Sequence, residues 1–533
     1  MSLTALPHPV HDTAPDSRVA VLASPGERHD EIVTPAALDF VGRLAAEFGE
    51  RRRDLLKERR RQAMRLAGGS PLDFPMVTSA VRADPGWRVA PPAPGLVDRR
   101  VEITAPPRRP EAIEALRSGA QVWIADFSDA TSPTWENVIG GQLTLRDVVE
   151  GRVDAAPAGG GRPATVVVRP RGWHLDEEHL AYEGRPVPAA LVDFGLYFFH
   201  CAQPLIDAGY GPYFSLPKLE NRYEARLWND VFDTAQGLLG IPRGTVRACV
   251  PIETVTAAFE MEEILHELRT HSSGLGIGHE EYLTSLIRTF GHRSDFLLPD
   301  RARIPATASF LHARAELVVR VCHRRGAHAV GAVSARVPEA DRAARAATVA
   351  AVRLEKEREA ENGFDGSRVT HPALVPVCRA AFDEVLGARP HQLDRSRDDI
   401  EVTAAHLLSV RRIAGPPTPQ GVRAEVAVAL RYFAAWQAGH GTVTVAGRTA
   451  DAATAELART RIRQWLRHRV LDRETVLALV DEEAAKLAAD SPTASVTEAR
   501  ALLERTALTS ESPLCFTPDA YSRHLVSVPV ASG

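Results

Sequence analysis

Thr165-Val-Val-Val-Arg169-Pro-Arg171-Gly-Trp-His174-Leu175 runs a β-branched segment straight into a turn broken by proline and glycine. Threonine and valine suit a pleated strand, and Pro170 cannot donate to a ladder. The segment therefore predicts a strand that ends with Arg169, Arg171 and His174 gathered at its C-terminal edge. A strand end of this kind suits an anion. Taken alone, an arginine there is more often a surface ion-pair partner than a ligand, so its meaning depends on the rest of the chain.

Outward from this segment, between about residues 98 and 400, short β-rich runs recur at Gln121–Asp126, Gly211–Leu216, Val246–Val250 and Ala327–Gly331. Helical patterns lie between them at Glu224–Gly237, Thr256–Arg269 and Ala313–Gly326. Such alternation predicts an α/β fold with a parallel sheet. Polar residues cluster just past the strands, as at Asp126 and Asp129, Arg169 and Arg171, and Glu253. A (β/α)8 TIM barrel collects that edge into one mouth. A doubly wound open sheet also alternates, but no GxGxxG follows a strand here.

The flanks differ in composition. Residues 1–30 are rich in proline and histidine and are read as a mobile lead-in; residues 31–97 are read as an N-terminal helical clasp. Within it, Pro35–Leu66 has helical periodicity, with Phe48, Leu55, Leu56 and Met64 set among Arg51, Arg52, Arg53, Lys57, Arg59, Arg60 and Arg61. The basic residues are expected to form a solvated face. Asp84–Pro107, punctuated by prolines, reads as loop, as does Ala155–Gly161. Residues 401–533 are read as a separate all-helical plug, with helices over Ala424–Ala438, Ala450–Val470, Arg473–Ala489 and Val496–Ala507.

At 533 residues the chain is too long for one ordinary core, and its 44% hydrophobic and 25% charged residues are typical of globular proteins. A net charge of −4 argues against an extended nucleic-acid surface. Cys201, Cys249, Cys322, Cys378 and Cys515 are scattered with no CxxC, which suggests a reducing cytoplasm and no zinc site. No secretory h-region precedes residue 30, no uncharged apolar run reaches spanning length, and no common peroxisomal address ends the chain. A cytoplasmic protein without a membrane or nucleic-acid partner is expected.

Carboxylates fall near strand ends at Asp126, Asp129, Glu220, Glu253, Glu281 and Asp365. Paired carboxylates at an open, oxygen-rich site suit Mg²⁺, with an arginine beside it to neutralise a small oxyacid or an enolate. On composition alone Glu253 and Glu281 read better as first-turn carboxylates that complement helix dipoles. His174, His323 and His328 read as hydrogen-bonded packing groups, Trp173 and Trp228 as barrel packing, and Cys322 as buried.

Several whole blocks resemble malate synthase. They are Arg169-Pro-Arg-Gly-Trp-His174, Gly211-Pro-Tyr-Phe-Ser-Leu-Pro-Lys-Leu-Glu220, Glu224-Ala-Arg-Leu-Trp-Asn-Asp-Val-Phe232, Ile252-Glu-Thr254, Ala258-Phe-Glu-Met-Glu262, Cys322-His-Arg-Arg-Gly-Ala-His328, Lys356-Glu-Arg-Glu-Ala360, Gly363-Phe-Asp-Gly366 and Asp451-Ala-Ala-Thr-Ala-Glu456. The likeness extends over nearly all of residues 70–525 and matches the length of the shorter, A-type enzymes. It implies a barrel with an N-terminal clasp and a C-terminal plug. The implied reaction condenses acetyl-CoA with glyoxylate and then hydrolyses the thioester to give malate and CoA. By position it makes Arg169 the catalytic arginine, Glu253 and Glu281 the Mg²⁺ ligands and Asp451 the general base. A helix-start cap is the other reading of Asp451, and both roles are compatible.

The chain departs from the family pattern around the expected mouth. Gly-Arg-Trp-Asp-Tyr becomes Gly278-His-Glu-Glu281-Tyr282, and Asp-Phe-Glu-Asp becomes Asp126-Phe-Ser128-Asp129. Met-Glu-Asp becomes Thr449-Ala450-Asp451, Gly-Gly-Met becomes Gly331-Ala332-Val333, and the tryptophan before Val-x-His-Pro is Arg368. Three functions are therefore carried forward: malate synthesis, the same enolate chemistry on another 2-oxo acid or acyl-CoA, and a non-catalytic ligand-binding paralogue. Arg368 and Ala332 keep the second open. The third has least support, because Arg169, Glu253 and Asp451 are all present.

Overall fold

The computed structural model describes residues 18–157, 160–491, 495–509 and 513–526. Its centre is a closed barrel of parallel strands, each hydrogen-bonded to the next in chain order. The strands are β1 (Val101–Ala105), β2 (Val122–Asp126), β3 (Thr165–Arg169), β4 (Tyr213–Ser215), β5 (Arg247–Ile252), β6 (Ser272–Ile277), β7 (His328–Ser334) and β8 (Gly366–Val369). In register, Asp126 at the end of β2 lies beside Arg169 at the end of β3. Closure removes every exposed sheet edge and brings all the C-terminal strand ends to one mouth.

Three of these strands fall where the sequence suggested none. β1 lies inside the proline-rich stretch read as loop, because Val101-Glu-Ile-Thr-Ala105 is short and flanked by breakers. β6, Ser-Ser-Gly-Leu-Gly-Ile, and β8, Gly-Ser-Arg-Val, lack a β-branched run, and ladder bonds to both neighbours hold them as strands. The expected helix Thr256–Arg269 is instead a 3-10 turn, Ala257–Phe259, followed by a short helix, Met261–Glu267.

Helix α1, Pro35–Ala67, begins at Thr34, whose side chain accepts from the amide of Ala37, with proline at the first helical position. Its Phe40, Val41, Leu44 and Phe48 are buried against the barrel helices, including α2, Ala189–Asp207. Helix α2 is long and apolar enough to cross a membrane by length and composition, but 72% of that apolar window is buried inside the protein. The basic face of α1 is not uniformly solvated, which corrects the sequence expectation. Arg52 is buried and donates to the carbonyls of Trp173 and Leu175, and Arg59 pairs with Glu224 and donates to the carbonyl of Lys218. These two arginines tie the clasp to the loops that follow β3 and β4.

Val19–Val21 pairs antiparallel with Asp176–Tyr182, which pairs in turn with Arg185–Pro188. This strand lies within the span read as a mobile lead-in. Pairing with a hairpin far along the chain orders it, and a single-segment reading does not see that. Residues 1–17 of that span lie outside the described residues, as do residues 158 and 159 of the loop read over Ala155–Gly161.

The plug packs α4 (Pro419–Gln437) and α5 (Ala452–Arg467) against helices Arg473–Asp490, Val496–Ala507 and α6 (Phe516–His524) around Leu430, Phe433, Trp436, Trp465, Leu502 and Phe516. A two-stranded hairpin, Val443–Val445 with Arg448–Ala450, delivers the chain into α5, so the helix starts at Ala452 and not at Ala450. Gly441 passes so near the loop after β2 that a Cβ there would lie 2.1 Å from the carbonyl oxygen of Ala130. Trp465 Nε1 donates to the carbonyl of Leu298 at 2.8 Å and Tyr521 donates to Glu177 Oε1 at 2.7 Å, seating the plug on the barrel.

Candidate active site

The barrel mouth opens into a cleft of about 820 Å³, and Arg169, Glu253, Glu281 and Asp451 all line it. Arg169 is delivered by the end of β3, as its β-branched lead-in required. Its Nη1 lies 3.1 Å from Asp126 Oδ2 and 2.7 Å from Asp129 Oδ2; its Nη2 lies 2.9 Å from Glu253 Oε1 and 3.8 Å from Glu281 Oε1. One guanidinium therefore gathers carboxylates from three loops. Burial works against its charge, but the carboxylates around it, Glu253 foremost, hold its pKa well above the ordinary value.

Lys218 belongs to this cluster although no sequence pattern marked it beyond its family block. Its Nζ lies 2.6 Å from Asp129 Oδ1, and its amide donates to Glu253 Oε2 at 2.9 Å. The left-handed backbone at Lys218, with φ of 57°, turns the chain so that amide and ammonium both face the site. Against the cost of burial, Lys218 and Arg169 hold the Asp129 carboxyl below the usual carboxylate range.

Glu253 follows β5, and Glu281 stands in the first turn of α3, Glu280–Phe290. Gly278 lies between them, where a Cβ would come within 2.8 Å of both Glu253 Cγ and Glu281 Oε2. Burial raises the pKa of Glu253, and burial with Glu253 and Asp129 nearby pushes Glu281 well above the carboxylate range. When ionised, the four carboxylates Asp126, Asp129, Glu253 and Glu281 outnumber the cations paired with them among the described residues, Arg169 and Lys218, even with Arg314 acting on Glu253 and Glu281 from behind. That excess of negative charge matches a divalent cation. Among the described residues no cage of three or more His, Cys, Asp or Glu exists, so protein carboxylates would supply only part of an octahedral shell. Mg²⁺ is commonly held this way, by one or two carboxylates with waters and substrate oxygens.

Asp451 reaches the cleft from the plug. It is the N-cap of α5, and its Oδ1 accepts from the Thr454 amide at 2.9 Å and the Thr454 hydroxyl at 2.9 Å. The capping and site-facing readings of Asp451 thus both hold. The amide of Ala452 donates to the carbonyl of Asp129, pinning the start of α5 to the barrel loop. Burial, with Asp129 and Glu280 adding repulsion, raises Asp451 to about 7 despite the opposing Thr454 bonds. Thr454 Oγ1 also lies 2.5 Å from Glu280 Oε2, so its single hydroxyl proton is shared between Asp451 and Glu280, and Glu280 pairs with Arg301, which reaches Glu425 on α4. Neither Thr454 nor Glu280 was singled out from the sequence.

Other sequence candidates lie elsewhere. Asp365 precedes β8 and so sits at the opposite end of the barrel, where it accepts from the amides of Ala329 and Gln392 and lies 3.1 Å from His323 Nε2. Glu220 faces Arg59 of the clasp at 3.6 Å. Arg171 is buried between Asp193 and Glu177, a structural pair at the base of the turn. Burial holds His174 in its neutral form, with its pKa well below the ordinary value. Trp173 and Trp228 pack at a tilt with ring centroids 4.3 Å apart in the hydrophobic core, and Cys322 is fully buried.

Arg368 is not at the rim. It projects from β8 into the barrel, where its Nε donates to Glu102 Oε2 at 2.9 Å, and it lines the floor of the cleft.

Comparison with known proteins gives a consistent result. Three family models match in order: malate synthase N-terminal domain over residues 17–79, malate synthase TIM barrel domain over 165–410, and malate synthase C-terminal over 416–523. Malate synthase of Streptomyces clavuligerus is 53% identical over 467 residues, which span 84% of this chain and 86% of that protein. Malate synthase A of Escherichia coli K12 is 40% identical over 450 residues, spanning 83% of this chain and 84% of that protein. A solved ternary complex of Haloferax volcanii malate synthase with pyruvate and acetyl-CoA aligns with a TM-score of 0.44 at 15% identity, over 76% of this chain and 98% of that one.

Proposed function

The chain belongs to the malate synthase family, and from that premise we propose how its own residues divide the condensation of acetyl-CoA with glyoxylate. Asp451 removes a proton from the acetyl methyl group. The methyl is a weak carbon acid, so the base must sit close, in a site that excludes water, with its conjugate acid near neutrality. A carboxylate raised to about 7, with Oδ1 anchored and Oδ2 left for the substrate, meets those needs. This is the observation that carries the proposal.

Arg169 supplies positive charge at the mouth, where negative charge develops on the enolate oxygen as the proton leaves. Lys218 keeps Asp129 ionised and in place, and Asp129 in turn orients Arg169. Glu253 and Glu281 would hold Mg²⁺, which when bound supplies Lewis acidity toward the glyoxylate carbonyl. The base stands on the plug and the arginine on the barrel, so the ties between them fix the reacting geometry. Hydrolysis of the malyl thioester then releases malate and CoA.

The free cysteines support a cytoplasmic setting: all five lack a disulfide partner and four are buried. The test is a thiol-release assay with purified protein, acetyl-CoA, glyoxylate and Mg²⁺. Glyoxylate-dependent CoA release is expected, and its absence would overturn the proposal.

A further inference from the structure

Inside the barrel, below the carboxylate cluster, Arg99 and Arg368 share a single carboxylate. Glu102 lies 2.6 Å from Arg99 Nη2 and 2.9 Å from Arg368 Nε, and it is fully buried. Two guanidiniums against one carboxylate leave one positive charge uncompensated there. Arg99 spends its remaining reach on the carbonyl of Ser273. Arg368 has no second carboxylate among the described residues; Cys249 Sγ, at 4.0 Å from its Nη2, is its other contact.

The space around this group is shaped for it. Gly276 on β6 has no side chain, and a Cβ there would lie 2.7 Å from Arg368 Nη2 and 3.0 Å from Nη1. Thr104 stands two residues beyond Glu102 on β1, and Thr370 two residues beyond Arg368, so strand alternation puts all four on the barrel's inner face. Thr104, Thr370 and Ser215, all small polar side chains, line the same cleft as Arg368. A buried cation that lines a cleft is costly unless an anion completes it.

We propose that Arg368 is a specificity-determining residue that receives a second carboxylate, so that the site accepts 2-oxo dicarboxylic acids as well as glyoxylate. The inference rests on the reading of this cleft as the condensation site. The chemistry is unchanged: Asp451 takes a methyl proton from acetyl-CoA, and the enolate carbon bonds to the ketone carbon. The ketone oxygen becomes a hydroxyl by taking up a proton. Water then cleaves the thioester, so one 2-hydroxy tricarboxylate, one CoA thiol and one proton leave per turnover. No oxidant or further co-substrate is needed.

The experiment measures kcat/KM for CoA release from acetyl-CoA with glyoxylate and with acids matched in chain length. The pairs are oxaloacetate against 2-oxobutyrate, and 2-oxoglutarate against 2-oxovalerate. For at least one pair the dicarboxylate is expected to lead by about ten- to a hundredfold, the range set by a hydrogen bond to a charged group. In Arg368→Met, which leaves Glu102 paired with Arg99, that ratio should collapse toward one. Gly276→Ala, which keeps the charge but displaces the guanidinium, should lower it as well. Glyoxylate turnover with neither dicarboxylate preferred overturns this inference alone, as does an unchanged ratio in folded Arg368→Met. Loss of turnover with every acid overturns the condensation reading and this inference with it. Turnover with a dicarboxylate but not glyoxylate supports the role of Arg368 and overturns the glyoxylate assignment.

Discussion

Thr454 holds one oxygen of Asp451 twice, through its amide and its hydroxyl, each at 2.9 Å, while no hydrogen bond from the described residues reaches Asp451 Oδ2. A helix cap ordinarily spends a carboxylate on the backbone. Here the cap fixes the group through Oδ1 alone.

That arrangement sets a pH dependence. As the proposed base, Asp451 would have to be ionised, so kcat/KM should fall about tenfold per pH unit below a midpoint of about 7. Glu280→Gln removes one of the charges that raise Asp451, while its amide carbonyl can still accept from Thr454. The midpoint should move to lower pH, and a pH–rate profile of the variant checks it. An unmoved midpoint would exclude Glu280 from tuning the base.

Stability should follow the same group with a definite sign. Burial raises the folded pKa of Asp451 above its unfolded value of about 3.9. Its contribution is therefore fully present below the unfolded pKa and is lost as pH rises through about 7. Asp451→Asn should gain stability relative to the parent chain between about pH 5 and about pH 8 in denaturant titrations. A constant difference across that window would contradict the raised pKa.

On the proposal that Glu253 and Glu281 hold Mg²⁺, the ion should stabilise the folded chain. At a hundredfold excess over its dissociation constant, a ligand of the folded state adds about 2.7 kcal/mol. Thermal unfolding should shift upward with Mg²⁺ in the parent chain and in Glu281→Asp, and much less in Glu281→Ala. If the alanine variant titrates like the parent, Glu281 is not a ligand.

Plug seating has its own test. Tyr521 on α6 donates to Glu177 Oε1 at 2.7 Å and lies 2.9 Å from His179 Nδ1, all three groups being buried. Tyr521→Phe removes the donor and should cost about 1–3 kcal/mol. Glu177 remains paired with Arg171 at 2.8 Å, so the loss should appear as a lower Tm with the barrel still folded.

What the sequence disclosed followed from local chemistry. Thr165–Arg169 was legible because a β-branched run ends in a cation, and Glu253 because it closely follows the β-rich run Val246–Val250. β6 and β8 were not, since their glycines and serine belong to no strand pattern until neighbours close the barrel. Asp365 was grouped with the site because proximity to a strand does not reveal which end it occupies; it precedes β8 and lies at the far end. Lys218 gained its place only through a left-handed turn and a contact to Asp129 across loops. Glu280 became visible only once α5 of the plug had brought Thr454 against it.

Asp451 as the base is the centre of the proposed chemistry. The most direct measurement is CoA release from acetyl-CoA and glyoxylate by Asp451→Asn, with glyoxylate binding measured in the same preparation. Turnover should fall by about 10²- to 10⁴-fold while glyoxylate binding is retained. Turnover at the parent rate would contradict it.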